Sequence, residues 1–168
     1  MQKNRSGHSG GKPRLSGPEL SRALGVTENR RADWARRGLV THRARNSTYG
    51  ATEAVELALV NAVFAAAGAK RGKGAWERLR VQMGPMDGTT EAWAIIDSGL
   101  HGHRALPTPA DAARAAANLG RPIRILALHE IAAVARERYA EAASAKPRRD
   151  SRPVRRPTTT IRRLDSSA

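Results

Sequence analysis

The hydrophobic and polar positions of this chain predict a helical first half. In segments 18–24 and 27–37, apolar residues recur at the spacing of a short amphipathic helix. Gly25 lies between the two segments and suits a tight turn, and Thr27 suits the N-cap of the second helix. We therefore expect two short helices packed at a fixed angle. Five residues are predicted to anchor them: Leu20, Leu24, Trp34, Leu39 and Tyr49.

The next segment, 52–67, predicts a longer helix that is apolar on most of its circumference. Val55 and Leu59 lie on one face, and Leu57 and Phe64 lie on another. A helix that is apolar on most sides is usually buried on most sides. We expect one face to cover the two short helices and the other to meet a second domain or a second subunit.

A change of pattern follows. Gly68 is expected to end the long helix, with one further short helix over 75–82, and Gly84-Pro85 marks a boundary. The segment 122–128 alternates like a strand, or it enters the last helix directly. The elements predicted beyond the boundary are a strand over 92–97, a hairpin partner over 100–106, a helix over 108–118, the segment 122–128 and a helix over 129–143. The predicted fold class is α+β, mostly helical, ending in a small ββαβα unit.

The charge of the chain indicates a polyanionic partner. Lys and Arg total 30 against 15 acidic residues, a net charge of +15. Residues 1–50 carry 11 basic and 3 acidic side chains, and residues 146–168 carry 8 and 2. Basic side chains that neutralise phosphates release counterions and so add sequence-independent affinity. We expect residues 1–13 to form a disordered basic arm. Residues 146–168 are expected to form a disordered Arg/Pro-rich tail, either simply solvated or a non-specific tether to nucleic acid.

Three runs of residues resemble a known family. They are 18–27 (Pro-Glu-Leu-Ser-Arg-Ala-Leu-Gly-Val-Thr), 34–40 (Trp-Ala-Arg-Arg-Gly-Leu-Val) and 49–52 (Tyr-Gly-Ala-Thr). Over about residues 14–70 the chain resembles the N-terminal domain of MerR-type regulators, and equally the related phage excisionases. The resemblance implies a winged helix-turn-helix. Its second helix would enter the major groove of DNA, and the basic loop 41–47 would form a wing that grips the backbone.

The candidate DNA contacts follow from the position of each side chain on these elements. Asn29 and Arg30 lie at the N-terminal end of the second helix, where Asn and Arg can make bidentate contacts to base edges. Basic residues farther along the helix are better placed to hold phosphates. The expected phosphate and wing contacts are Arg31, Arg36 and Arg37 in the second helix, Arg43, Arg45 and Asn46 in the wing, and Arg22 in the first helix.

The domains predicted from these observations are a DNA-binding domain over 14–83 and a small α+β domain over 84–145. The second domain would mediate self-association, as in a homodimer, or bind a partner or ligand. We expect sequence-specific binding of double-stranded DNA by a transcriptional regulator of MerR-like type. One alternative is an excisionase that bends DNA beside an integrase. An alternative of another class is a basic protein associated with RNA or the ribosome.

Candidate chemistry is sparse. The chain has no cysteine, and His101 and His103 have no third ligand nearby in sequence, so no metal site is predicted. The glycine-rich segment 68–74 lacks the spacing of a phosphate-binding loop. We therefore expect no enzymatic activity and no cofactor. The most apolar run, 54–67, is too short to cross a membrane, and the N-terminus has no apolar signal segment. The expected location is the cytoplasm, in association with the nucleoid.

Overall fold

A computed structural model of the chain describes residues 14–41, 48–83, 91–97, 104–106, 108–119 and 123–145. This part of the chain is mostly helical with short strands, which agrees with the predicted α+β class. The helices are α1 (Gly17–Ala23), α2 (Glu28–Arg36), α3 (Ala51–Ala67), α4 (Ala69–Met83), α5 (Pro109–Leu119) and α6 (Leu128–Ala145). The strands are β1 (Leu15–Ser16), β2 (Thr48–Tyr49), β3 (Trp93–Asp97), β4 (Arg104–Leu106) and β5 (Ile123–Ala127).

The two short helices α1 and α2 begin and end at local signals in the sequence. At the start of α1, the Ser16 backbone N–H donates to the Glu19 carboxylate at 2.7 Å, as in a capping box. Gly25 follows the helix with a φ of 65°, a left-handed conformation that residues with a Cβ rarely adopt. At the start of α2, the Thr27 hydroxyl accepts from the Arg30 backbone N–H at 3.3 Å, so the predicted N-cap is confirmed.

Strands β1 and β2 lie on either side of this helix pair in sequence and join in an antiparallel ladder. Leu15 pairs with Tyr49, and Ser16 pairs with Thr48. The pairing brings the chain before α1 next to the chain before α3. The predicted wing, 41–47, lies outside the described residues except for Thr41.

Helix α3 forms the centre of the structure. Its buried residues include Val55, Leu57, Leu59, Val60 and Val63, which lie on more than one side of the helix. One side packs against α4 and another against α6. The first face was predicted to cover the two short helices, but it packs mainly against α4 and meets α2 through the rings of Phe64 and Trp34. The second face is covered by α6 of the same chain.

Helix α4 is longer than predicted. It begins at Ala69, directly after Gly68, whereas the sequence pattern placed its start at residue 75. Gly68 has a φ of 81° and reverses the chain, and its carbonyl accepts from the Gly72 N–H at 2.8 Å. A Cβ added to Gly72 would lie 2.6 Å from the Phe64 ring, so the glycine permits close packing of α4 on α3. Packing thus outweighs the low helix propensity of glycine, which had hidden the first turns of α4.

The second half has the element order of the predicted ββαβα unit. Its three strands form an antiparallel sheet in the order β4-β3-β5. Ile95 pairs with Arg104 on one side and with Ile125 on the other. Of the two alternatives for the segment 122–128, the strand is confirmed as β5, and α6 starts directly after it at Leu128. The first part of the predicted hairpin partner, up to residue 103, lies outside the described residues.

One hydrophobic core joins the two predicted domains. It contains residues of α1, α2, α3 and α4 together with residues of β3 and α6. The Tyr139 hydroxyl in α6 donates to the Tyr49 carbonyl in β2 at 3.0 Å across this core. The predicted boundary at Gly84-Pro85 lies outside the described residues, and the packing on either side of it is continuous. A smaller cluster around Ile95 and Ala112 lies between the sheet and α5. Within the described ranges, the helices are too short or too polar to cross a membrane.

Candidate nucleic-acid interface

Helix α2 has a buried face and an exposed face. Trp34 and Ala35 are buried, and the Trp34 ring lies 5.1 Å from the Phe64 ring of α3 between centroids. The five predicted anchors all lie in the core cluster: Leu20, Leu24, Trp34, Leu39 and Tyr49. Four polar residues in α2 and at its C-terminal end are exposed: Asn29, Arg30, Arg36 and Arg37. The core therefore holds α2 by one side and leaves a basic side free.

Arg31 has to be removed from the predicted phosphate contacts. Its side chain is only 13% exposed, because its position on α2 turns it towards α1 and β2. Nε donates to the Ser21 hydroxyl at 3.1 Å, and Nη1 donates to the Tyr49 hydroxyl at 3.0 Å. The guanidinium also lies 5.4 Å from the centre of the Tyr49 ring. Arg31 thus ties α2 to α1 and β2 from inside.

Gly17 makes room for this guanidinium. A Cβ added to Gly17 would lie 2.6 Å from Nη2 of Arg31, so the side chain packs closely on the backbone at the start of α1. Nη2 also lies 3.8 Å from the Glu28 carboxylate. A buried charge needs hydrogen-bond partners or an opposite charge, and Arg31 has both. The sequence signal for this inward position was its spacing: Arg31 is three residues before Trp34 and four before Ala35, the two buried residues of α2.

Asp33 is a half-buried acidic residue of α2 that pairs with two exposed arginines. Its carboxylate is 2.9 Å from Nε of Arg37 and 3.5 Å from Nη2 of Arg36. Ion pairs of this spacing on an exposed helix contribute little stability, but they restrict the positions of the two guanidinium groups. Asp33 also reduces the net positive charge of the face. Sequence reasoning gave this residue no role.

Among the described residues, Arg30 and Arg22 are the remaining cations that were predicted to contact DNA. The Arg30 guanidinium lies 5.8 Å from the centre of the Trp34 ring, within the range of a cation–π contact. This contact holds the exposed side chain along the helix surface. Arg22 is exposed in the last turn of α1. Arg43, Arg45 and Asn46 belong to the wing and lie outside the described residues.

Arg80 of α4 adds a cation beside the end of α2, and sequence reasoning missed it. Nη1 donates to the Gly38 carbonyl at 3.4 Å, and Nη2 lies 3.5 Å from the Glu56 carboxylate. One turn earlier on α4, the Trp76 indole donates to the Leu39 carbonyl at 2.7 Å. The available signal was the spacing of Trp76 and Arg80, which places them on one side of a helix.

Both ends of the loop 42–47 are held by the fold. The Thr41 backbone N–H donates to the Glu56 carboxylate at 2.7 Å. At the other end, Arg14 donates to the Thr48 carbonyl at 3.0 Å and lies 3.6 Å from the Glu53 carboxylate. Two carboxylates of α3 therefore fix the backbone before and after the predicted wing.

Two properties of the titratable side chains are visible in the described residues. Within these ranges, His, Asp and Glu side chains do not gather into a group of three or more that could hold a metal ion. Burial raises the pKa of Tyr139 above its ordinary value, and the nearby Arg14 lowers it by a smaller amount. Its protonated hydroxyl is used in the hydrogen bond to Tyr49.

The surface of α2 presents exposed arginines and an asparagine on a helix that is anchored by a buried tryptophan. Comparison of the chain with protein-family models and with curated proteins gave no match.

Proposed function

We propose that this chain binds double-stranded DNA through the exposed face of α2 and acts as a transcriptional regulator of MerR-like type. The observation that carries the proposal is the division of α2 between a buried side, Trp34 and Ala35, and an exposed side rich in arginine. An α-helix with its side chains is about 10–12 Å wide, and the major groove of B-DNA is about 12 Å wide. A short helix held by one side matches that groove in width.

The positions of the side chains suggest different roles along the helix. Asn29 and Arg30 are exposed in the first turn and can reach base edges. Arg36 and Arg37 are exposed at the other end, where their guanidinium groups can contact phosphates. Arg22 and the wing residues Arg43, Arg45 and Asn46 are further proposed contacts to the backbone. Arg31 takes no part in binding and instead holds the helix in place.

The proposed regulator works by occupying DNA, without catalysis and without a cofactor, and it acts where the DNA lies, at the nucleoid in the cytoplasm. The net charge of +15 supports a polyanionic partner of this kind. An excisionase would use the same surface of α2. Footprinting on the region upstream of its own gene, and on attachment sites beside an integrase gene, distinguishes the two roles.

The test compares two arginines in matched surroundings. The Arg36 side chain is 76% exposed and pairs with Asp33 three residues earlier at 3.5 Å. The Arg114 side chain on α5 is 75% exposed and pairs with Asp111 three residues earlier at 3.4 Å. Arg36→Ala is expected to weaken DNA binding and to reduce the slope of log affinity against log salt by about 1. Arg114→Ala is expected to leave both unchanged.

Fluorescence anisotropy with a labelled duplex measures these effects, and structured RNA serves as the competitor. Five cations on phosphates, Arg22, Arg36, Arg37, Arg43 and Arg45, would give a salt slope of about −4 to −5 per protomer. Equal losses of DNA affinity for Arg36→Ala and Arg114→Ala would mean that the chain binds DNA through its overall charge and not through a defined surface. Tighter binding of structured RNA than of duplex DNA would overturn the proposal in favour of an RNA partner.

A further inference from the structure

Glu28 is an acidic residue in the surface that is proposed to meet DNA. It is the first residue of α2, directly before the exposed Asn29 and Arg30, and its side chain is 58% exposed. Asp33, the other acidic residue of α2, is half-buried and pairs with two arginines. Glu28 therefore brings an exposed negative charge to the end of the helix that is expected to reach base edges.

Contacts inside the fold limit where this carboxylate lies. Nη2 of Arg31 is 3.8 Å from Oε1 of Glu28. Arg31 is itself held from inside, because Nε donates to the Ser21 hydroxyl at 3.1 Å and Nη1 donates to the Tyr49 hydroxyl at 3.0 Å. The buried guanidinium is therefore a fixed positive charge beside the start of α2, and it restricts the positions that the Glu28 carboxylate takes.

The Glu28 carboxylate can still accept hydrogen bonds. A distance of 3.8 Å is too long for a hydrogen bond, so the pairing with Arg31 is electrostatic. An ionised carboxylate offers about four acceptor sites on its two oxygens. Among the residues that the structure describes, none donates a hydrogen bond to this carboxylate. An external donor can therefore bind to it without displacing a contact of the fold.

The base edges in the major groove differ in what they offer to a carboxylate. Guanine and thymine present acceptors there, whereas cytosine and adenine present an amino group. Adenine has the N7 acceptor beside its amino group, so cytosine is the better partner for a group that only accepts. A carboxylate that faces guanine or thymine loses its water without gaining a hydrogen bond. A glutamate at this place thus lowers the affinity for DNA least where it meets cytosine.

We propose that Glu28 is a specificity-determining residue of the α2 surface and accepts a hydrogen bond from the N4 amino group of a cytosine in the major groove. Arg31 is its positioning residue, since it holds the carboxylate from inside the protein. This role deepens the proposed function and rests on it. Specificity is a difference between affinities, and an exposed negative charge on a DNA-binding helix creates it by weakening the binding of other sequences.

Glu28→Gln tests the assignment, because it replaces one carboxylate oxygen by an amino group at nearly constant size. Glutamine makes a bidentate contact to N6 and N7 of adenine. We therefore expect the preferred base at one position of the DNA site to change from cytosine to adenine, with relative affinities altered about tenfold. The other positions should keep their preference. Selection from random duplexes, followed by titration of the four single-base variants of the selected site, measures the change.

Glu77→Gln is the matched control. The Glu77 side chain on α4 is 56% exposed and lies 3.8 Å from Nζ of Lys73, so it matches Glu28 closely in exposure and in ion-pair distance. The substitution makes the same change of charge on a different helix. It is expected to leave the base preference at every position unchanged.

The outcomes separate this role from the proposed function. A wild type that binds duplex DNA without sequence preference would overturn both. If the wild type has a preferred sequence and Glu28→Gln keeps it at every position, DNA binding stands and the role of Glu28 is wrong. An equal loss of affinity on all sequences would also be a refutation, because it would leave Glu28 with only the stabilising effect of a negative charge on the helix dipole.

Discussion

The outer faces of α2 and α6 show how one core can present two different surfaces. Each helix is held by a buried aromatic residue, Trp34 in α2 and Tyr139 in α6. The exposed residues of α2 include Arg30 and Arg36 together with one acidic residue, Glu28, while Asp33 is half-buried. The exposed side of α6 carries Val134 together with Glu130, Glu137, Arg138 and Glu141. An excess of basic charge favours a polyanion, whereas a mainly acidic helix surface does not.

A second contrast lies within α2 itself, between Arg31 and Arg36. They are five residues apart on the same helix, yet the exposed fraction of the side chain is 13% for Arg31 and 76% for Arg36. One arginine stabilises the fold and the other is free to meet a ligand. Residue type alone thus does not reveal whether an arginine stabilises the fold or meets a ligand. The direction of its side chain relative to the core is also needed.

The largest expected effect comes from removing the anchor of α2. Trp34→Ala deletes a buried ring that contacts Phe64, and substitutions of this kind cost about 3–5 kcal/mol of unfolding free energy. Urea denaturation followed by circular dichroism measures the loss. A loss below about 1 kcal/mol would show that α2 does not depend on this anchor.

Arg31→Ala is expected to destabilise the fold by about 1–3 kcal/mol, because the Ser21 and Tyr49 hydroxyls both lose a partner in a partly buried site. Arg36→Ala, on the exposed face, is the control and is expected to change the unfolding free energy by less than about 0.5 kcal/mol. If both variants unfold at the same urea concentration, the distinction between an inward and an outward arginine fails.

Arg30 and Arg45 are expected to differ in how they affect DNA sequence preference. Arg30→Ala should lower the affinity for the preferred sequence by about 1–3 kcal/mol and bring it closer to that for random DNA. Arg45→Ala should weaken both by the same factor. Titrations of each variant against a footprinted site and a scrambled duplex make the comparison. Parallel losses for both variants would refute the proposed division between base and phosphate contacts.

The smallest expected effect concerns Tyr139, which joins α6 to β2. Tyr139→Phe removes the hydrogen bond to the Tyr49 carbonyl and is expected to cost about 1 kcal/mol at neutral pH. Burial raises the pKa of Tyr139 in the folded state, so the folded state binds this proton more tightly than the unfolded chain does. The resulting stability is complete below pH of about 10, the ordinary tyrosine pKa, and is lost as pH rises through the raised value.

The difference in unfolding free energy between wild type and Tyr139→Phe isolates this contribution, because other titrating groups cancel. The difference should be constant from about pH 7 to pH 9 and should decrease at higher pH. A difference that grows above pH 10 would contradict the raised pKa.

The helical segments around Gly25 and Gly68 show how far the sequence could predict the fold. The turn at Gly25 and the cap at Thr27 are local features, so their positions were predictable from neighbouring residues. The first turns of α4 were not predictable, since Gly72 and Gly74 disfavour a helix and only the packing of Gly72 against Phe64 explains it. For the same reason, the sequence left open whether a second domain or a second subunit covers the other face of α3. No local signal shows that α6 packs back onto α3.

The sequence by itself determined the order of helices α1–α6 and of strands β3–β5, the excess of arginine near α2, and the amphipathic pattern that buries Trp34. These properties depend on residues close together in the chain, through capping, turn conformation and helical period. Only the tertiary structure decided that Arg31 points inward, that Arg80 reaches Gly38, and that α6 covers α3. Each of these depends on contacts between residues far apart in sequence, whose geometry is set by the packing of the whole core.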